Sequence, residues 1–523
     1  SRDRIAGRLV FAAVPGLISF VQRERPRPLA AVSHPVRISL CLAPLSAKEE
    51  RRNASWRMSR KRKEEFPLDV DQLRSREITT DLYELTMAAS YFDQGMFAPA
   101  TFDLFVRKYP RNRSYFVCAG LDDLLDYLES FHFRPDHLEY LERTSLFSPK
   151  FLAFLERLRF TGSVRAVPEG RIFFSTEPLL EITAPLIEAQ LVETFVINAM
   201  NFPCLIATKA SRCLQAAGDR RLVDFSLRRT QGIDAGLKVA RAAYIGGFVG
   251  TSNVLAGKLC GLPIYGTMAH SYVESFPQEI DAFRAFARSF PKHTVLLIDT
   301  YDTLAGARKA VTVAHEMRRA GHSLLAVRLD SGDLVHLSRQ VRKVLDDAGF
   351  PEVTIFASGG LDEFRIEEIL AAGGRIDAFG VGTKLGVSAD APYLDSAYKM
   401  VEYAGRPVLK LSSGKVSLAG VKQVFRASDH RGLLQRDLVG LHDEVVPDAE
   451  PLLHPVMKDG KRLLPSEPLD LIRQRFLQEF ARLPETYRVL RGAGTYPVAI
   501  TPRLQALQDQ VTSEIRKKEL ADT

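Results

Sequence analysis

Cysteine is scarce in this 523-residue chain: the five present, Cys41, Cys118, Cys204, Cys213 and Cys260, form no CxxC pair and no spacing of a metal site. An odd, scattered set argues against a disulfide framework and fits a reduced, cytoplasmic compartment. Long apolar runs are lacking too. The run LVFAAVPGLISF near the N-terminus covers about a dozen residues with Pro15 inside it, too short for a membrane span and without a small-residue cleavage site after it. No GxxxxGK[ST] loop occurs, which argues against an ordinary P-loop nucleotide hydrolase. The eleven histidines show no HExxH or paired spacing, which argues against zinc. Charge of one sign is lacking over most of the chain. Of the formal +8, residues 1–65 hold fifteen Lys and Arg against six acids, so the remainder lies within one charge of neutrality. A neutral body is not the footprint of a nucleic-acid-binding surface.

What is present is ample apolar content, 46%, enough for at least one large core. The basic head, with Arg60, Lys61, Arg62 and Lys63 at its end, has no helical or strand period. An organellar transit peptide, a disordered arm and an upstream stretch translated in error all accommodate residues 1–57; the first methionine, Met58, favours a natural start at or near that residue. From about residue 294 short aliphatic runs alternate with amphipathic stretches. TVLLIDT, SLLAVRLD, VTIFAS and IDAFGVGT read as strands ending at Asp299, Asp330, Ser358 and Gly382, and helices with 3.6-residue periodicity lie between them. This is the βαβ rhythm of a parallel sheet. RLVDFSL and GLPIYG read as two earlier strands of the series, with a helix over DAGLKVARAAYIGG. Mixed elements flank this block on both sides.

Periodicity does not separate a closed barrel from an open sheet. Two Gly- and hydroxyl-rich junctions, SGGLDE (358–363) and GVGT (380–383), follow the last two strands, where barrels commonly bind phosphate, and this favours an irregular TIM-like α/β barrel. The expected organisation is a leader over 1–57, a flanking α+β domain beginning in 58–205, the barrel in 206–395, and a C-terminal segment, 396–523, returning to the flanking domain.

The strand end AVRLDSGDL gathers charge. Alternate strand residues point the same way, so Arg328 and Asp330 project together, and an Arg between Val327 and Leu329 needs an anionic partner. Its guanidinium suits a carboxylate ligand; Asp330 or Asp333 suits ribose hydroxyls or magnesium. Asp299 ends another strand and is a second candidate for magnesium. Arg228 and Arg229 end a third, where a solvated pair explains them equally well. His270, in GTMAHS (266–271), reads as a core histidine, a metal ligand or a nucleophile; its neighbours Gly266, Thr267 and Ser271 favour a donor-rich loop over a packed interior.

TDLYELTM (80–87), FDLFVRKYP (102–110), TSNVLAG (251–257), GTMAHS (266–271), IDTYD (298–302), VRLDSGDL (327–334) and GVGT (380–383) together resemble the nicotinate phosphoribosyltransferase family. The resemblance runs from about residue 78 to 430. It implies an irregular barrel with a second domain built from both chain ends, and a homodimer with active sites at the interface. It also implies transfer of phosphoribosyl from phosphoribosyl pyrophosphate to nicotinate with magnesium, coupled to ATP hydrolysis through a phosphohistidine. By that match His270 is the phosphorylated residue. Tyr83 lies against the pyridine ring from the partner subunit; Thr267, Ser271 and Arg328 face nicotinate, with Arg229 a second cation. Asp330 serves the ribose, and Ser358, Gly359, Gly360, Gly382 and Thr383 cradle the 5-phosphate. Lys399, Lys410 and Lys422 are basic residues of the closing domain. The alternatives are a nicotinamide-using enzyme of the same fold, for which the cation-rich RRTQG is ill suited, a barrel retained as a scaffold, and a nucleic-acid-binding protein using the basic arm.

Overall fold

Alternating runs of β-branched residues and capped helices build one parallel sheet in the computed structural model, which describes residues 78–411 and 417–519. The expected leader over 1–57 and the start at Met58 lie outside the described residues. Val70–Thr523 form one compact unit. Within it the strands are ordered Gly250–Thr251, Arg221–Asp224, Ala378–Val381, Thr354–Ala357, Ala326–Leu329, Val295–Leu297, all parallel. The helices between them start on carboxylates: Asp302, Asp333 and Asp362 accept backbone amides of Thr303–Arg319, Leu334–Asp347 and Glu363–Ala371, satisfying donors that a helix start leaves free. Val327, Leu329, Ile355, Ala357, Phe379 and Val381 are buried, whereas Arg328 is the one residue of its strand that is not. Two-residue alternation turns it away from the helices.

The sheet is an incomplete barrel. Ile264 bridges Thr251 in parallel, but among the described residues no ladder joins Ile264 to Val295–Leu297. The expected strand over GLPIYG therefore shrinks to that single bridge. Pro263 has no amide to donate, and the stretch pairs through Thr251 alone: the Thr251 amide donates to the Pro263 carbonyl at 3.0 Å and the Tyr265 amide to the Thr251 carbonyl at 2.9 Å. The strand Gly250–Thr251 and the helix Val254–Cys260 occupy the interval instead. Inside the curve, Phe225 packs on Phe356 with centroids 5.5 Å apart, over Gly380, where a Cβ would lie 2.6 Å from the Phe225 ring.

A seven-stranded antiparallel sheet stands beside it, ordered Arg406–Pro407, Ser396–Tyr403, Pro99–Val106, Pro178–Pro185, Ser163–Ala166, His454–Lys458, Lys461–Arg462. Strands from both flanks of the parallel block thus share one sheet, as expected. A smaller four-stranded sheet holds Lys422–Ser428 and Leu434–Leu441. The boundary expected at 205/206 falls within one continuous helix, Glu193–Ala217, which spans both regions. Among the described residues no helix is long and apolar enough to cross a membrane.

One basic residue sits where no substrate reaches. Lys422 is fully buried, its Nζ 2.8 Å from Asp103 Oδ2, and its amide donates to Glu181. Lys422, read as a basic residue of the closing domain, is therefore committed inside the fold: burial raises the Asp103 carboxyl, and the Lys422 ammonium opposes that shift without cancelling it. Lys399 faces Glu193 at 3.6 Å, and Lys410 is exposed.

Candidate active site

The C-terminal ends of the parallel strands enclose a cavity of about 710 Å³. It is lined by Arg228 and Arg229 after the first strand of the series, by the 266–271 loop, by Arg328 and Asp330, and by the two glycine-rich junctions. Of the residues read from sequence, Arg229, Thr267, His270, Ser271, Arg328, Asp330, Ser358, Gly359, Gly360, Gly382 and Thr383 all line it. Tyr83, Asp299 and Asp333 do not.

Arg328 is the hub. Nε donates to Ser358 Oγ at 3.1 Å, Nη1 to Thr267 Oγ1 at 2.6 Å and to the Met268 carbonyl at 3.1 Å, and Nη2 to Asp330 Oδ1 at 3.2 Å. Four of the five N–H donors of a guanidinium are thus engaged. Ser358 in turn donates to Asp330 Oδ1 at 2.5 Å. Burial alone would raise the Asp330 carboxyl; Ser358, Arg328 and the His270 imidazole outweigh it and hold the group below its ordinary value, so it stays ionised.

His270 opens the helix His270–Glu274 and is neither core nor cage: its side chain is 37% exposed, and among the described residues no group of three His, Cys, Asp or Glu is arranged to hold a metal. Its Nδ1 lies 3.1 Å from Thr300 Oγ1. Nε2 stands 3.9 Å from Asp330 Oδ2, beyond hydrogen-bond reach. Thr300 was not singled out in the sequence, although it follows Asp299 in IDTYD.

Next to Asp330 the junction glycines have physical reasons. Gly359 has φ +91° and a Cβ there would meet the Asp330 carbonyl at 2.0 Å, so only glycine turns the chain this closely. Among the described residues no acceptor takes the amides of Gly359, Gly360, Gly382 or Thr383. Four free N–H groups and the hydroxyls of Ser358 and Thr383 make an anion cradle. Arg228 and Arg229 are exposed. Ser252 also lines the cavity; its strand is two residues long and left no periodic signal.

The carboxylates proposed for magnesium separate. Asp333 Oδ1 accepts Val335 and His336 amides as a helix cap, so that oxygen is committed. Asp299 Oδ2 accepts the Asp330 amide and the Ser331 hydroxyl, while its Oδ1 is buried without a partner. Tyr83 lies on the helix Leu82–Asp93, 47% exposed, its phenol pushed up by burial and by Glu193.

Three family models tile the described chain. The nicotinate phosphoribosyltransferase N-terminal domain matches residues 78–201, the nicotinate phosphoribosyltransferase family model residues 220–430, and its C-terminal domain residues 445–508. The chain belongs to the nicotinate phosphoribosyltransferase family. It is 48% identical over 448 residues to nicotinate phosphoribosyltransferase pncB2 of Mycobacterium tuberculosis, covering 85% of this chain and 94% of that protein. It is 42% identical over 395 residues to the nicotinate phosphoribosyltransferase of Bacillus subtilis, covering 73% and 80%. The crystal structure of human nicotinic acid phosphoribosyltransferase superposes with a TM-score of 0.75 at 30% identity, covering 83% of this chain and 99% of that one. Membership in the nicotinate phosphoribosyltransferase family makes the chain an enzyme, a transferase, and the strand-end cavity is its candidate active site.

Proposed function

We propose that the cavity transfers phosphoribosyl from phosphoribosyl pyrophosphate to nicotinate in NAD salvage, releasing nicotinate mononucleotide and pyrophosphate, and that ATP drives the cycle through a phosphohistidine at His270. The observation that supports it most is the lining of the cavity. The free amides of the glycine-rich junctions, Arg328, ionised Asp330 and half-exposed His270 line one cavity, and Ser358 joins the first junction to Arg328 and Asp330.

The 5-phosphate is seated on the amides of Gly359, Gly360, Gly382 and Thr383, with the hydroxyls of Ser358 and Thr383 beside them. Breaking the bond from ribose C1 to pyrophosphate builds positive charge on the sugar, and the Asp330 carboxylate lies where that charge is stabilised. The pyridine nitrogen, held in line, forms the new bond to C1, so positioning carries the chemistry and no general base is needed. Thr267 and Ser271 border the ring. Arg229, with Arg228 beside it, offers a guanidinium fork for the nicotinate carboxylate, while Arg328 turns one remaining N–H toward it. A cation pair of this kind favours nicotinate over neutral nicotinamide. Tyr83, outside its own cavity and exposed, closes the ring site of the partner in a homodimer. The compartment is cytoplasmic.

For ATP, the His270 Nε2 lone pair attacks the γ-phosphorus, the bond to the β-bridging oxygen breaks, and ADP leaves. Thr300 accepts the Nδ1 proton and so fixes the tautomer that makes Nε2 nucleophilic. Asp299, whose Oδ1 is buried without a partner, is the residue that would hold magnesium, an ion that takes one or two carboxylates plus substrate phosphates. Magnesium, when bound, neutralises charge on the leaving pyrophosphate.

The test is product analysis with labelled phosphoribosyl pyrophosphate, offering nicotinate, nicotinamide and quinolinate in turn. Labelled nicotinate mononucleotide from nicotinate alone supports the reading; a product from nicotinamide or quinolinate instead would overturn it.

A further inference from the structure

The two glycine-rich junctions leave adjacent strands, yet among the described residues no backbone hydrogen bond joins one to the other. Ions join them. At the rim, Lys384 Nζ lies 2.8 Å from Asp362 Oδ2, the same residue that caps the helix Glu363–Ala371. Beneath, Lys209 on the long helix Glu193–Ala217 ties the first junction to the turn beyond the second. Its Nζ is 2.5 Å from Oε2 of Glu363, the last residue of the first junction, and 2.6 Å from Oδ1 of Asp390, which follows the helix Thr383–Gly386 that opens at the second. Lys209 and Glu363 are buried, with side chains 1% and 0% exposed.

A purely structural pairing did not need this lysine. Glu363 already has Arg212, with Nε 3.0 Å from Oε1, and Asp390 already has Arg113, with Nη1 and Nη2 at 2.8 and 3.1 Å. Burial tends to raise the Asp390 carboxyl, but Arg113 and Lys209 outweigh that and hold it far below its ordinary value. Three cations against two carboxylates leave the cluster with surplus positive charge, costly in a buried place unless an anion comes near. Among the described residues Lys209 is the one cation within 3 Å of both carboxylates.

We propose that Lys209 is a positioning residue: by bridging Glu363 and Asp390 it sets the separation of the two glycine-rich junctions, so that both sets of amides meet one phosphate group. The inference rests on the reading of those junctions as the cradle of the 5-phosphate. A lost bridge lets the junctions drift apart, and the ligand must then supply the ordering from its own binding energy. The Arg328 contacts to Thr267 and Met268 on the 266–271 loop do not involve Lys209.

The experiment uses steady-state kinetics on the full chain carrying Lys209→Met, which leaves each carboxylate its own arginine. The expected result is a KM for phosphoribosyl pyrophosphate raised about tenfold, with the nicotinate KM, and kcat at saturating phosphoribosyl pyrophosphate, within about twofold of the parent. Asp390→Asn cuts the bridge from the other side and should reproduce that split; it decides the matter if Lys209→Met does not yield folded protein. Gly359→Ala tests the cradle itself. Unchanged phosphoribosyl pyrophosphate KM in Gly359→Ala would sink the cradle and the bridge with it. A raised KM in Gly359→Ala beside an unchanged one in Lys209→Met or Asp390→Asn overturns the bridge alone, as does a fall in kcat with both KM values moved equally.

Discussion

Arg328 Nη1 lies 2.6 Å from Thr267 Oγ1, a hydrogen bond from an inner strand of the parallel sheet to the loop that follows the Ile264 bridge. One consequence is that the 266–271 loop, with His270 in it, is held to the strand Ala326–Leu329 by a single guanidinium. A charge-assisted hydrogen bond of this kind contributes about 1.5 to 3 kcal/mol.

Removing one end of that bond should loosen the loop alone. Thr267→Val is expected to raise the nicotinate KM about tenfold and leave the KM for phosphoribosyl pyrophosphate unchanged. Arg328→Lys goes further, because a point charge cannot serve Ser358, Thr267, Met268 and Asp330 together. Its kcat/KM should fall about a hundredfold or more for both substrates. Steady-state kinetics with each substrate varied separately checks both, and a loss confined to nicotinate in Arg328→Lys would show that the hub contacts are dispensable.

Lys422→Met should act on stability and leave the chemistry alone. It strands Asp103, 3% exposed, without its 2.8 Å partner, and breaking a buried pair from one side costs about 3 to 5 kcal/mol. Thermal unfolding should show a markedly lower Tm, while the protein that remains folded turns over with parental KM values. A selective rise in a substrate KM without loss of Tm would return Lys422 to the active site.

Lys422 also marks the limit of what was legible in the sequence. Motif matching read its charge, but a charge in a strand pattern says nothing about which face is buried, and the partner Asp103 lies on a strand far away in the chain. The βαβ series was legible because aliphatic strands alternate with periodic helices, three of which start on a capping aspartate. Within the site, the cavity gathered Asp330, Ser358 and Gly382 from the strand ends, but not Asp299. The Arg328–Thr267 tie was not legible, since it depends on how a loop folds back over a strand distant in the chain. Nor was the helix through 205/206, which continues past Pro203. Lys209 and Glu363 were passed over because buried ion pairs leave no periodic trace.

Stability should depend on pH through one buried carboxyl. Glu84 is fully buried; burial is the main cause that moves its carboxyl up from 4.5 to about 7, against hydrogen bonds from Thr194 and Thr80 that lower it. A carboxyl whose folded pKa is raised stabilises the fold fully below its unfolded value and loses that contribution as pH rises through the folded one. The parent protein should therefore lose a few degrees of Tm between pH 4.5 and 8 from this group. Glu84→Gln, which stays neutral and still accepts from Thr194, should remove that part of the slope. Differential scanning calorimetry across this range checks it; parallel pH profiles for parent and variant would show that Glu84 does not titrate in this window.

His270→Ala should separate the two reactions proposed for the cavity. The imidazole touches Thr300 through Nδ1 and reaches toward Asp330 through Nε2, but the amides of Gly359, Gly360, Gly382 and Thr383 do not depend on it. The folded variant should still bind phosphoribosyl pyrophosphate and make some mononucleotide, yet gain nothing from ATP, because a ligand shifts a conformational equilibrium only through differential affinity and the acceptor that creates the difference is gone. It should also take up no acid-labile, base-stable label from γ-labelled ATP, whereas the parent does. Thr300→Val sharpens the reading: the imidazole remains, but with Nδ1 no longer tied to a hydroxyl the tautomer that exposes Nε2 is less populated. Labelling should slow in Thr300→Val while the reaction without ATP keeps its parental rate. Full labelling and full ATP stimulation in His270→Ala would leave that histidine as a loop residue, and the entry of ATP energy would have to be sought at another nucleophile.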